Sequence, residues 1–146
     1  MTRIDFYVLP SGDAHNRRLM ACRLTEKAIK QDLTVFLYAA SEEEERVLDD
    51  LLWTFRQGSF VAHERLDAST AHPETPVLIG HRTVPQSAKN VLINLSAEIP
   101  PDLDRFERLV ELVDQDEAVK QAGRRRYRFY TDQGYVIQTY HLDKSD

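Results

Sequence analysis

Lys120, Arg124, Tyr127 and Arg128 recur at i, i+4, i+7 and i+8, the spacing that gathers side chains on one face of an α-helix. Cations beside a phenol ring suit an acidic peptide or a phosphate. Arginine can clamp a carboxylate through two parallel N–H donors, which lysine does less well, and the ring offers an apolar wall. Val119, Ala122 and Tyr130 fall on another side of the same helix and can supply its core contact. The competing expectation is a set of surface ion pairs to Asp102, Asp104, Glu107 or Glu111, read as lying on a preceding helix. Such exposed pairs contribute only about 0–1 kcal/mol each.

A second group is aromatic. In the segment starting at Glu42, the apolar residues Val47, Leu48, Leu51, Leu52 and Phe55 share one side of a helix, and Trp53 falls nearly opposite them. A large ring on the polar side of an amphipathic helix is uncommon, because it leaves apolar surface in water. It is either folded over the following loop or an anchor for another protein, the role in which tryptophan is enriched. Phe60, just beyond Gly58, can share that patch.

Residues suited to catalysis are sparse. No G-x-G-x-x-G follows the first strand and no G-x-x-x-x-G-K-S/T occurs. Ser11-Gly12-Asp13 stands where a phosphate loop would begin, but a single glycine there reads as a turn. His63, His72 and His81 lack the cysteines or close histidine spacing of a zinc site. Cys22 sits among apolar residues of a helix and reads as a core thiol. No catalytic residue, cofactor or metal is expected.

The elements that must position these groups follow from pattern and punctuation. Ile4 to Leu9 reads as a strand ending at Pro10-Ser11-Gly12, His15 to Gln31 as a helix, and Leu33 to Ala39 as a buried strand. Ser41 with Glu44 forms a capping box that starts the next helix, and acidic residues in its first turn favour the helix dipole. The β-α-β-α order predicts a mostly parallel α/β sheet flanked by helices. Phe60 to Ala62 is expected as a short strand, residues 66–76 as a polar loop, and Val77 to Ile79 and Val91 to Leu95 as buried strands flanking a polar loop from His81 to Lys89. Leu103, Phe106, Leu109, Val110 and Val113 are spaced as a helical stripe. A last helix runs from about Asp116 to a Gly134 cap, and Tyr135 to His141 closes as a strand.

The bulk properties fit one domain spanning residues 1–146. At 146 residues, 42% apolar and 29% charged, the chain can bury a core without metal or disulfide. Its single cysteine suits a reducing cytoplasm. The N-terminus reads as a strand with no signal-peptide pattern, and no apolar run nears the roughly 20 residues that span a bilayer. The net charge of −5 argues against generic binding to nucleic acid. The distribution is uneven: Glu42 to Glu45, Asp49 and Asp50 form an acidic run, while Lys120, Arg124, Arg125, Arg126 and Arg128 form a basic island.

Read together, several segments resemble a known family, the chi subunit of the bacterial DNA polymerase III holoenzyme. They are the opening DFYVL, Leu52-Trp53, S-F-V-x-H from Ser59 to His63, P-V-x-I from Pro76 to Ile79, VLINL at 91–95 and K-x3-R-x2-Y-R from Lys120 to Arg128. The resemblance implies a Rossmann-like fold and a non-catalytic adaptor in the cytoplasm. It would join the psi subunit of the clamp loader to the acidic C-terminal tail of single-stranded-DNA-binding protein. By position, Trp53 and Phe60 match residues that engage psi, or a helicase competing for that surface. Lys120, Arg124, Tyr127, Arg128 and Val113 match the tail pocket. Two other readings compete: a small nucleotide-binding or hydrolytic enzyme using the Ser11-Gly12-Asp13 turn, and direct nucleic-acid binding by the basic helix.

Overall fold

A strand that alternates between two buried faces can be apolar throughout, and the segment Val35–Tyr38 shows this directly. Val35 and Leu37 join one core cluster while Phe36 and Tyr38 join another. The computed structural model of the chain describes residues 1–66, 75–85 and 89–143. In it β1 (Arg3–Val8), α1 (Ala14–Lys30), β2 (Val35–Tyr38) and α2 (Glu42–Thr54) are followed by β3 (His63–Arg65), β4 (Val77–Gly80) and β5 (Val91–Asn94). Then come β6 (Arg108–Val113), α3 (Glu117–Asp132) and β7 (Ile137–His141). These strands form one sheet in the order β3-β4-β2-β5-β6-β1-β7, with every pairing parallel.

Local chemistry sets the helix ends. Asp13 Oδ1 accepts the His15 N–H at 2.9 Å, Ser41 Oγ accepts the Glu44 N–H at 3.2 Å, and Asp116 Oδ2 accepts the Val119 N–H at 3.2 Å. Each satisfies a donor that a helix start leaves open. Past the end of α3, Gly134 has φ +83°, a left-handed conformation that glycine adopts without steric cost. Cys22 and Leu48, from α1 and α2, pack on one face of the sheet with Leu37, Ile79 and Ile93. Tyr130 of α3 packs on the other with Ile4, Phe6, Phe36 and Leu109. Burial pushes the Cys22 thiol up to about 12, so it stays protonated and behaves as core.

Two elements differ from the sequence pattern. The stripe from Leu103 to Val113 is not a helix: Leu103–Arg105 forms one 3-10 turn and Arg108–Val113 is β6. Leu109 points to the α3 face and Val110 to the α1–α2 face. A strand lying between two others and covered on both sides carries apolar residues on both faces, here Leu109, Val110, Leu112 and Val113, so its spacing imitates a helix. Val113 therefore comes from the end of β6. The expected strand at Phe60 to Ala62 is displaced to His63–Arg65, because pairing with β4 begins at His63 opposite Val77. The loop at 66–76 and His72 lie largely or wholly outside the described residues, as does part of the loop from His81 to Lys89.

The acidic run on α2 is more than a solvated face. Arg65 Nε lies 3.2 Å from Glu45 Oε1, His81 Nδ1 also contacts Glu45, and Arg18 pairs with Glu44 at 2.6 Å. These contacts tie α2 to β3, to the segment after β4 and to α1. Among the described residues no helix is long and apolar enough to cross a membrane.

Candidate functional site

The inward side of α3 decides what its outward side presents. Gly123 sits where the helix presses on β6: a Cβ there would meet Val113 Cγ2 at 2.8 Å. Three residues on, Arg126 is 3% exposed and turned into the protein. Its Nε and Nη2 lie 3.1 and 3.0 Å from Glu111 Oε1, and its Nη1 donates to the Ala97 carbonyl at 3.1 Å. The other Glu111 oxygen accepts from Tyr130 at 2.6 Å and from Asn94 Nδ2 at 3.0 Å. Burial and the adjacent Glu111 charge both raise the Tyr130 phenol, keeping it a hydrogen-bond donor. Arg126 therefore leaves the basic island and becomes the anchor of α3.

With that side fixed, Lys120, Arg124, Tyr127 and Val113 meet around an open cleft of about 470 Å³ between α3 and strands β1 and β7. Phe6 and Val8 of β1 contribute apolar lining, with Gly123 and Val113 beside them. Tyr127 stands against Phe6 edge to face, ring centroids 5.3 Å apart. Lys120 and Arg124 bring the cationic groups. Lys120 is only 4.0 Å from Glu117, and Arg124 and Arg128 have no ion pair among the described residues. Arg128 is exposed on the same helix but does not line the cleft. Among the described residues none of Lys120, Arg124 and Arg128 forms the expected pair to Asp102, Asp104, Glu107 or Glu111; Arg126, on another side of the helix, takes Glu111. Asp102 instead pairs with Arg105, Asp104 accepts from Tyr135, and Glu107 accepts from Asn90.

Phe6, Val8, Gly123, Gln115, Thr139 and His141 also line this cleft and were not singled out by sequence pattern. Gly123 had a signal: glycine inside a helical pattern often marks a close approach. The strand residues had none, because only the parallel β1–β7 pairing brings Phe6 opposite Thr139. Gly123→Ala tests the contact. Alanine's helix propensity would stabilise α3 by about 1 kcal/mol, but overpacking against Val113 costs about 1–3 kcal/mol. Urea unfolding should show net destabilisation, and equal or greater stability would show that Val113 moves aside freely.

The aromatic pair stands on the other face of the sheet. Trp53 is 55% exposed on α2 and Phe60 is 74% exposed, with ring centroids 5.8 Å apart. The stripe opposite Trp53 packs inward, with Leu48 and Leu52 fully buried. The ring is therefore not a core group.

The Ser11-Gly12-Asp13 turn offers no phosphate cradle. Asp13 itself caps α1, Ser11 Oγ accepts from Asn16 Nδ2 at 3.1 Å, and a Cβ on Gly12 would lie 3.3 Å from the Asp116 backbone nitrogen. A carboxylate thus fills the helix N-terminus that an anion would need. Among the described residues no group of three or more His, Cys, Asp or Glu side chains could hold a metal.

The family model described as DNA polymerase III chi subunit, HolC, matches residues 1–138. The chain is 41% identical over 144 residues to DNA polymerase III subunit chi of Pseudomonas aeruginosa, covering 99% of each protein. It is 29% identical to the Haemophilus influenzae subunit chi, covering 92% of this chain and 94% of the relative. Among solved structures, T4 UvsW matches with a TM-score of 0.71 at 9% identity. That match covers 97% of this chain and 41% of the other. A complex containing S. cerevisiae Dbp5 matches at 0.62 with 11% identity, covering 98% and 42%. At such identities these two show shared architecture alone.

Proposed function

The chain belongs to the DNA polymerase III chi subunit family, and from that membership we propose that it is a non-catalytic adaptor between the psi subunit and the acidic C-terminal tail of single-stranded-DNA-binding protein. The observation that carries the reading is the cleft on α3, where Lys120 and Arg124 adjoin apolar lining from Phe6, Val8 and Val113. The tail's terminal carboxylate is clamped by the Arg124 guanidinium. Its last apolar side chain packs on Tyr127 and Val113. Acidic residues further upstream are drawn to Lys120 and Arg128.

Fluorescence anisotropy with a labelled acidic peptide ending in an aromatic residue and a free carboxylate tests this. Binding should weaken as salt rises past about 0.15 M, where screening acts within about 8 Å. Amidating the peptide's C-terminus should weaken it strongly. Equal affinity for the free and amidated peptides would refute the pocket.

Trp53 and Phe60 form the psi-binding surface in this reading. Truncating an exposed hot-spot aromatic removes about 2 kcal/mol or more of binding, roughly thirtyfold, while sparing the fold. Trp53→Ala should keep its melting temperature and lose psi in pull-down and titration. A large fall in melting temperature would instead place the ring in the core. Tail binding should be unchanged, since α2 and α3 pack on opposite faces of the sheet.

A further inference from the structure

Beneath Trp53 lies a histidine whose two ring nitrogens both face acceptors. The His63 side chain is 0% exposed. Its Nδ1 is 2.6 Å from the Val61 carbonyl oxygen. Its Nε2 is 3.0 Å from Asp49 Oδ1 and 3.2 Å from the Asp49 carbonyl oxygen. A neutral imidazole has one N–H and one lone pair. Either tautomer would therefore turn a lone pair toward an oxygen at hydrogen-bonding distance. Only the imidazolium donates on both sides.

This ring joins the two parts of the aromatic patch. Through Asp49 it holds α2, one turn before Trp53, and through Val61 it holds the residue that follows Phe60. The indole of Trp53 lies over it, centroids 4.8 Å apart, within the range of a cation–π contact. Other charges nearby are engaged elsewhere. Arg65, on the same side of β3, pairs with Glu45 and Glu42, Glu64 accepts from Thr75, and β4 sets uncharged Val77 opposite His63.

We propose that His63 is the positioning residue of the Trp53–Phe60 surface: as an imidazolium held between Asp49 and Val61 it fixes both aromatic rings in the arrangement a partner meets, and its deprotonation releases them. The part concerning a partner rests on the reading of this patch as the psi surface; the clamp itself does not. Loss of one ring proton leaves a lone pair facing either the Val61 carbonyl or Asp49, so partner affinity falls as pH rises.

Trp53 is the single tryptophan of the chain, so intrinsic fluorescence reports this one ring. An imidazolium in contact with an indole quenches its emission more than neutral imidazole does. Wild-type emission should rise in a single step as pH increases from 5 to 8. The step should vanish in His63→Gln, which retains a donor toward Asp49 but cannot titrate. At the acid end, nitrogen shifts of the His63 ring should show both nitrogens protonated. His63→Gln should bind psi about tenfold more weakly than wild type at pH 6 and show no pH dependence, with its melting temperature changed by only a few degrees. A flat wild-type emission profile, or a step that survives in His63→Gln, overturns the clamp; the wild-type titration decides this even if the variant folds poorly. A lost step with unchanged psi affinity overturns the positioning role. Retention of psi by Trp53→Ala would instead overturn the surface and leave the clamp standing.

Discussion

Arg126→Ala is expected to destabilise the protein by about 3–5 kcal/mol, the cost of removing one partner from a buried ion pair. Glu111, fully buried, would lose the donors at 3.0 and 3.1 Å. Asn94 and Tyr130 would remain its partners, both neutral. Alanine would also open the space the guanidinium fills and free the Ala97 carbonyl. In a domain of this size the loss corresponds to a fall in melting temperature of about 10 °C or more. Urea unfolding at neutral pH measures it. A change below about 1 kcal/mol would mean that water reaches Glu111 once the guanidinium is gone, and that the network does not hold α3.

Arg124→Ala, two residues earlier, should do the opposite: leave stability intact and weaken the proposed tail binding. Its side chain is exposed and makes no ion pair among the described residues, so the fold loses little. In the proposed adaptor reading, the acidic tail loses the group that clamps its terminal carboxylate. That is worth about 2 kcal/mol or more, roughly thirtyfold in affinity. Arg124→Lys should recover only part, since an ammonium cannot match a carboxylate with two parallel donors. An amidated peptide should show little further loss on Arg124→Ala, because both changes remove the same contact. Arg128→Ala should have a smaller effect, felt at low salt, because that residue stands outside the cleft. Wild-type affinity in Arg124→Ala would overturn the assignment, and an unchanged affinity for psi should accompany the loss.

Neighbouring arginines with opposite expected outcomes show where local pattern stops. Helical period alone separates Lys120, Arg124 and Tyr127 from Ala122 and Tyr130, and it sets Trp53 opposite Leu48 and Leu52. Caps at Ser41, Asp116 and Gly134 mark helix ends because the chemistry involved lies within a few residues. Membership of an α/β class follows from the order of these local signals. The same period places Arg126 on the core stripe with Val119, Ala122 and Tyr130. Yet a charged residue there is intelligible only once Glu111 stands opposite it. Glu111 does so because residues 108–113 form a strand between β5 and β1, which spacing alone reads as a helix. The cleft is likewise divided. Its cations come from one turn-by-turn pattern in α3, while Phe6 and Thr139 meet only through pairing of strands more than a hundred residues apart. Residue types and helical period are local quantities and could be read directly; strand pairing is a choice among distant segments made by total burial, and that choice turned a basic helix face into a pocket.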